Sequence, residues 1–176
     1  MSDGAARNEI GPVQMLVLGF SEPNFTGKIA AELDRLRSLE FIKIVDALVV
    51  NKDENGDITA LQVSDLSDDE ATEMGAIAGA LIGFGYGGGE DDDAIEAGAE
   101  LGAEAMADGH LIPDDEAWYV ADAIPNGSAA AIILIEHMWA IPLRNSIVEA
   151  GGVALADEWI HPKDLIAVGV AAAEVE

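Results

Sequence analysis

The distribution of hydrophobic residues divides the first part of the chain into strands and a helix. Apolar residues run almost continuously over 13–20 (VQMLVLGF) and 41–51 (FIKIVDALVVN), which predicts two buried strands. Over 25–40, apolar residues recur at intervals of three or four with charged residues between them, which predicts an amphipathic helix. A third strand is predicted over 57–63 (DITALQV), because the Asn-Gly pair before it is typical of a tight hairpin.

Two helices with regularly spaced glycines are predicted in the middle of the chain. Ser67 and Glu70 have the spacing of a capping box, which predicts that the first helix begins directly after Ser67. The glycines at 87–89 predict its end, and the acidic residues at 90–93 suit the positive N-terminal end of the next helix. We therefore expect a helical hairpin over 68–109.

The last part of the chain repeats the order of strand, helix and strand. Strands are predicted over 129–136 (AAAIILIE) and 153–160 (VALADEWI), with a helix over 139–150 between them. The two ends together predict an α+β fold, a ferredoxin-like antiparallel sheet with two helices on one face and the helical hairpin inserted between its halves. The expected segments are a flexible lead, the first half, the inserted hairpin with its connector, and the second half with the tail, at 1–12, 13–66, 67–120 and 121–176.

Composition and charge exclude several classes of function. The chain has 176 residues and a formal net charge of -26, a field that repels nucleic acid. It has no cysteine, which excludes disulfides, thiol nucleophiles and cysteine metal sites. The acidity fits a highly soluble protein, a high-salt environment or a surface that collects cations. The N-terminal residues lack the pattern of a signal peptide and the uncharged run at 74–89 is short for a spanning helix, so we expect a cytoplasmic protein and do not favour a membrane anchor.

Six glycines in the two central helices are candidate self-association residues. A glycine costs a helix about 1 kcal/mol relative to alanine, so a repeat at intervals of four indicates that another backbone approaches closely there. The spacing leaves open whether that backbone belongs to the same chain or to a second one. The six residues are Gly75, Gly79, Gly83, Gly87, Gly98 and Gly102.

Two further sets of residues are candidate ligand sites, and no cofactor is expected for either. A row of carboxylates on the second central helix is a candidate site for divalent cations, although such a row is also typical of a solvated helix face. These carboxylates are Glu96, Glu100, Glu104 and Asp108. Near the ends of the sheet, a second set is a candidate pocket for a small molecule, with core or interface packing as the alternative. This set is Trp139, Arg144, Trp159 and His137.

The order of several short motifs is the most specific feature of the sequence. In chain order they are 46–50 (DALVV), the acidic turn at 53–57, the glycine ladder, 125–128 (PNGS), and Glu136 close to Trp139. In this order, over most of residues 13–160, the chain resembles a bacterial family of unknown function with a central glycine zipper. The resemblance implies a ferredoxin-like strand-helix-strand repeat around a glycine-zipper hairpin, and it implies no activity and no catalytic residues.

Two functions from different classes are open for this sequence. The first is a non-enzymatic, homo-oligomeric structural or scaffold protein that self-assembles through its glycine-zipper hairpins. The alternative is a module that binds a small molecule or a divalent cation and that could be an enzyme, although no nucleophile stands beside a base in the sequence. Peripheral membrane association is a weaker third hypothesis. We favour the first, because a close backbone contact explains why glycines are retained at helical spacing.

Overall fold

The computed structural model describes residues 10–88, 91–113 and 115–153, together with 155, 162 and 166. The chain divides into two units, residues 1–143 and 144–176. All strands and the first four helices belong to the first unit, and the fifth helix begins in the first unit and ends in the second. The final strand expected over 153–160 lies largely outside the described residues.

The sheet of the first unit has four strands, and all three pairings are antiparallel. Its spatial order is β1-β4-β2-β3. The coarse prediction of an α+β protein with an antiparallel sheet is therefore confirmed. The strands are β1 (Val13–Phe20), β2 (Ile42–Lys52), β3 (Ile58–Val63) and β4 (Ser128–His137). The helices are α1 (Lys28–Ser38), α2 (Asp68–Tyr86), α3 (Asp92–Ala105), α4 (Glu116–Ala123) and α5 (Ala140–Glu149).

Two connections in this sheet skip a strand. Strand β4 lies between β1 and β2 and is antiparallel to both, so β1 and β2 run in the same direction and α1 connects them across β4. Strand β2 likewise lies between β4 and β3, and the helices α2, α3 and α4 connect β3 to β4 across it. The chain therefore contains two split β-α-β connections.

The two connections lie on opposite faces of the sheet. On one face, Ile133 and Ile135 of β4 belong to a hydrophobic cluster against which Leu33 of α1 packs. On the other face, Ile132 and Leu134 of the same strand pack against clusters formed with α2 and α4. Helix cover on both faces explains why β4 is a continuous apolar run rather than an alternating one.

An irregularity in β2 brings two consecutive side chains to the face of α2–α4. Ile44 pairs with Ile135 of β4 and Asp46 pairs with Leu134, so Val45 is an extra residue in the ladder. Such a bulge interrupts the alternation of side chains between the two faces. Val45 packs into the α2 cluster, and Asp46 is fully buried beside it.

Candidate functional site

A cavity lies between α1 and the sheet in the first unit. Its volume is about 610 Å³. All four strands contribute apolar side chains to its floor, among them Leu18, Val49, Leu61 and Ile133. Helix α1 and the connector before it contribute the opposite wall, which includes Phe25, Ile29 and Leu33.

The side chains of α1 that pack on the sheet lie in its C-terminal half, while Phe25 before the helix meets Phe20 of β1 edge to face with the ring centres 5.1 Å apart. Leu33 and Leu36 pack against the sheet, and the amide of Phe41 donates to the carbonyl of Leu36 at 3.1 Å. Near the N-terminal end, Phe25 and Ile29 are 52% and 50% exposed although both line the cavity. No residue of α1 is fully buried, so the helix stands away from the strands and leaves the cavity open at its N-terminal end.

An ion pair fixes the C-terminal end of α1. The Nε of Arg37 donates to Oδ2 of Asp65 at 2.9 Å, and the same oxygen accepts the amide of Ile44 in β2 at 2.8 Å. Arg37 also donates to Asp34 at 2.8 Å. The Asp65 carboxylate raises the pKa of Arg37, so the guanidinium stays charged in this position. Asp65 thus joins the helix to the sheet through one side chain.

The polar groups of the cavity lie along its rim. Asn24, Thr26 and Lys28 line it near the start of α1, while Asp34 and Arg37 line it near the end. The pair near the end of α1 is already satisfied by its own ion pairs. Lys28 is therefore the charged side chain of the rim at the start of α1.

The glycines predicted for self-association lie between α2 and α3 of one chain. A Cβ placed on Gly79 would be 2.0 Å from the carbonyl oxygen of Gly98, and one on Gly75 would be 2.1 Å from that of Gly102. At Gly83 the neighbour is the carbonyl oxygen of Ala94, also at 2.1 Å. Two antiparallel helices therefore approach so closely that no side chain fits between them. The sixth residue, Gly87, lies at the turn, where its Cβ would meet that of Asp91 at 2.6 Å.

In this structure the backbone that approaches the glycines of α2 is that of α3 in the same chain. Self-association through these glycines stays a prediction. The exposed side chains of α2 include the apolar residues Leu81, Ile82 and Phe84.

The row of carboxylates follows the exposed side of α3. Glu96, Glu100 and Glu104 are exposed on the helix, and Asp108 lies in the turn after it, where its Oδ1 accepts the amide of His110 at 3.1 Å. In the described part of the chain, no group of three or more histidine and acidic side chains is arranged to hold a metal ion.

Of the four residues of the candidate small-molecule pocket, the structure shows two in contact. The rings of His137 and Trp139 meet edge to face with their centres 6.2 Å apart, and Nε2 of His137 lies 3.2 Å from Oε1 of Gln14. Burial lowers the pKa of His137, so the neutral ring is favoured. Arg144 belongs to the second unit, and Trp159 lies outside the described residues.

A buried carboxylate that the sequence analysis did not single out joins the sheet to the loop before α4. The oxygens of Asp46 accept the amides of Leu111 and Ile112 at 2.8 and 2.7 Å, and Nε2 of Gln62 donates to it at 3.0 Å. Nδ1 of His110 lies 3.1 Å from Oδ1 of the same carboxylate. This network satisfies the buried carboxylate and fixes the loop before α4. An aspartate inside a continuous apolar strand was the signal for it.

Comparisons of this chain with protein-family models, with curated proteins and with solved structures give no match. The family resemblance drawn from the motif order therefore stays a prediction. Within the described residues, the structure contains no helix with both the length and the apolar character needed to cross a membrane.

Proposed function

We propose that the protein binds a small apolar molecule in the cavity beneath α1. The observation that carries this proposal is the cavity itself, about 610 Å³ lined by apolar side chains from α1 and all four strands. Ligand pockets in proteins typically measure about 300–1,000 Å³ and are mainly apolar. A protein core, by contrast, is normally filled to the density of an organic crystal. The half-exposed Phe25 and Ile29 supply a path for the ligand at the open end.

The test is binding of a neutral fluorescent probe, N-phenyl-1-naphthylamine, to three proteins. Ala47 lies in the floor of the cavity, so Ala47→Leu places a larger side chain in the space of the probe. It should reduce probe affinity by at least about tenfold, since losing an apolar contact the size of one side chain costs about 1.5–3 kcal/mol. Ala60→Leu places the same side chain on exposed β3 outside the cavity and should leave the affinity unchanged. Probe binding that does not saturate, or equal affinities in the two variants, contradicts the proposal.

Self-association stays a second proposal, and the edge of β1 now supports it better than the glycines do. Among the described residues, β1 pairs with β4 alone, and its sequence contains neither charge nor proline. Natural edge strands usually carry such residues to prevent pairing with another chain. Met15 and Val17 of β1 are 64% and 66% exposed on the face away from α1. Antiparallel pairing of two β1 edges about a two-fold axis would bring these apolar rows together.

Light scattering after size exclusion tests this second proposal. Wild-type protein should have a mass of at least twice 18.3 kDa. Met15→Lys should reduce it to that of one chain, because a charge on the edge opposes strand pairing. Leu81→Lys, at an equally exposed apolar residue of α2, should keep the wild-type mass. A wild-type monomer, or dissociation by the α2 variant alone, contradicts pairing through β1.

The narrower structural labels also stay proposals. The two split connections support a ferredoxin-like relationship, but they differ from the predicted one: α2, α3 and α4 form the second connection instead of the helix expected over 139–150, and they lie on the face opposite α1 rather than on the same face. The close contact of α2 and α3 supports the description as a glycine-zipper hairpin. A cytoplasmic location stays a prediction that cell fractionation would test.

A further inference from the structure

We infer that the molecule bound beneath α1 is an anionic amphiphile, with an aliphatic chain in the cavity and a carboxylate head group held at the rim by Lys28. This inference rests on the proposed function, because it names the class of ligand for the same cavity. It goes beyond that function by assigning a polar end to a site whose interior is apolar.

Lys28 differs from the other basic side chains in the described part of the chain. Each of the others has a hydrogen-bond or ion-pair partner, whereas the structure gives none for Lys28. Arg35 pairs with Glu32 at 2.7 Å, Lys43 pairs with Glu70, and Lys52 donates to the carbonyl of Ala121 at 3.0 Å. Arg37 pairs with two aspartates, and Arg144 also has a partner. In a chain with 34 acidic and 8 basic residues, an ammonium group left without a carboxylate partner beside an apolar cavity favours an anionic ligand.

The helix terminus beside Lys28 adds charge of the same sign, and Glu32, one turn further along α1, is paired with Arg35. Lys28 is the first residue of α1, and the preceding Gly27 supplies no side-chain cap. The first turn of α1 contains no acidic residue, so its free amide groups add partial positive charge next to the ammonium group. Asn24 and Thr26 line the same part of the cavity and offer further hydrogen-bonding groups.

The large negative charge of the chain does not prevent this binding. Charges further than about 8 Å away are largely screened at physiological ionic strength, so the groups at the rim dominate. The one acidic side chain that lines the cavity, Asp34, is paired with Arg37 at 2.8 Å. A head group at the rim also stays partly hydrated, which avoids the penalty of burying a charge in the apolar interior.

Three ligands with the same twelve-carbon chain and different head groups distinguish the contribution of the head group to affinity from that of the chain. Dodecanoate, dodecanol and dodecyltrimethylammonium are titrated below their micellar concentrations against protein loaded with N-phenyl-1-naphthylamine. We expect dodecanoate to displace the probe at about three- to tenfold lower concentration than dodecanol, which is the range for an exposed ion pair aided by a helix terminus. The cationic ligand should be the weakest of the three.

Two variants of α1 locate the effect. Lys28→Gln should remove the preference for dodecanoate over dodecanol, because it weakens dodecanoate binding more than dodecanol binding. Arg35→Gln removes one positive charge from the same helix at a side chain that does not line the cavity, and it should keep the preference. The inference is overturned if wild type and Lys28→Gln show the same preference, or if the cationic ligand binds most tightly. In either case the proposal of an apolar binding site is retained. If none of the three ligands displaces the probe, the proposed function fails as well.

Discussion

The contact between α2 and α3 predicts opposite effects for one substitution at two glycines of the same helix. Gly79 faces α3, and its Cβ would lie 2.0 Å from the carbonyl oxygen of Gly98 and 2.8 Å from the carbonyl carbon. Gly85 lies six residues further along α2 on another side of the helix, and its Cβ would meet nothing within 4 Å. Gly79→Ala and Gly85→Ala therefore make the same chemical change with and without a neighbouring backbone.

The magnitude follows from the two distances. Carbon and oxygen atoms approach to about 3.3 Å in the closest favourable contacts, so Gly79→Ala forces the helices apart by about 1 Å. Overpacking of this kind costs about 1–3 kcal/mol, and here the neighbour is backbone, which cannot rotate away. Separation also loosens the adjacent contact of Gly75 with Gly102. After the gain of up to about 1 kcal/mol in helix propensity, we expect a net loss of up to about 2 kcal/mol in the free energy of unfolding.

Gly85→Ala should instead stabilise the protein. It keeps the gain in helix propensity of up to about 1 kcal/mol and meets no obstacle. Urea unfolding followed by circular dichroism measures both variants against wild type, and hydrogen exchange of the amides of α2 and α3 detects local opening that the global transition misses. Equal changes for the two variants, or stabilisation by Gly79→Ala, would refute the close approach of the two helices.

Two further predictions concern buried and partly buried carboxylates. Asp46→Ala leaves the two loop amides before α4 without an acceptor, so the free energy of unfolding should fall by about 3–5 kcal/mol. As a control, Asp57→Ala at an exposed residue should change the free energy of unfolding little. Urea titration compares the two variants, and similar losses in both would contradict the hydrogen-bond network of Asp46. Lys43 lowers the pKa of Glu70 to about 2, so the stabilisation by this carboxylate should be complete above its ordinary pKa of 4.5 and disappear as the pH falls towards 2. The stability difference between wild type and Glu70→Gln, measured from pH 2 to 7, should follow that course, and a difference independent of pH would argue against the pair.

Local patterns predicted most of the elements because local interactions determine them. Ser67 caps α2 with its side chain, and Glu70 completes the capping box in the structure as the spacing indicated. The strand order was not predictable in this way, since β4 inserts between β1 and β2 through contacts between residues far apart in sequence. Val45 is recognisable as an extra residue of β2 only from the pairing of β2 with β4. The orientation of Asp46 follows from the same pairing.

The cavity and the glycine contact illustrate a second limit of sequence patterns. Spaced glycines report that a backbone approaches closely, but they do not identify it. The structure identifies it as the backbone of α3, because Gly79 lies opposite Gly98. A cavity has no sequence pattern at all, because it is the space that α1 leaves when only its C-terminal half packs on the sheet.

The proposals for ligand binding and for self-association use different faces of one strand, and they are therefore compatible. Leu18 and Phe20 of β1 line the cavity, whereas Met15 and Val17 lie on the opposite face, because successive side chains of a strand alternate. Pairing of two β1 edges would extend the sheet sideways and leave the space beneath α1 open. Met15→Lys should then separate the subunits without changing the affinity for the probe. If dissociation also abolished probe binding, the cavity would depend on the partner, and the two proposals would describe a single site.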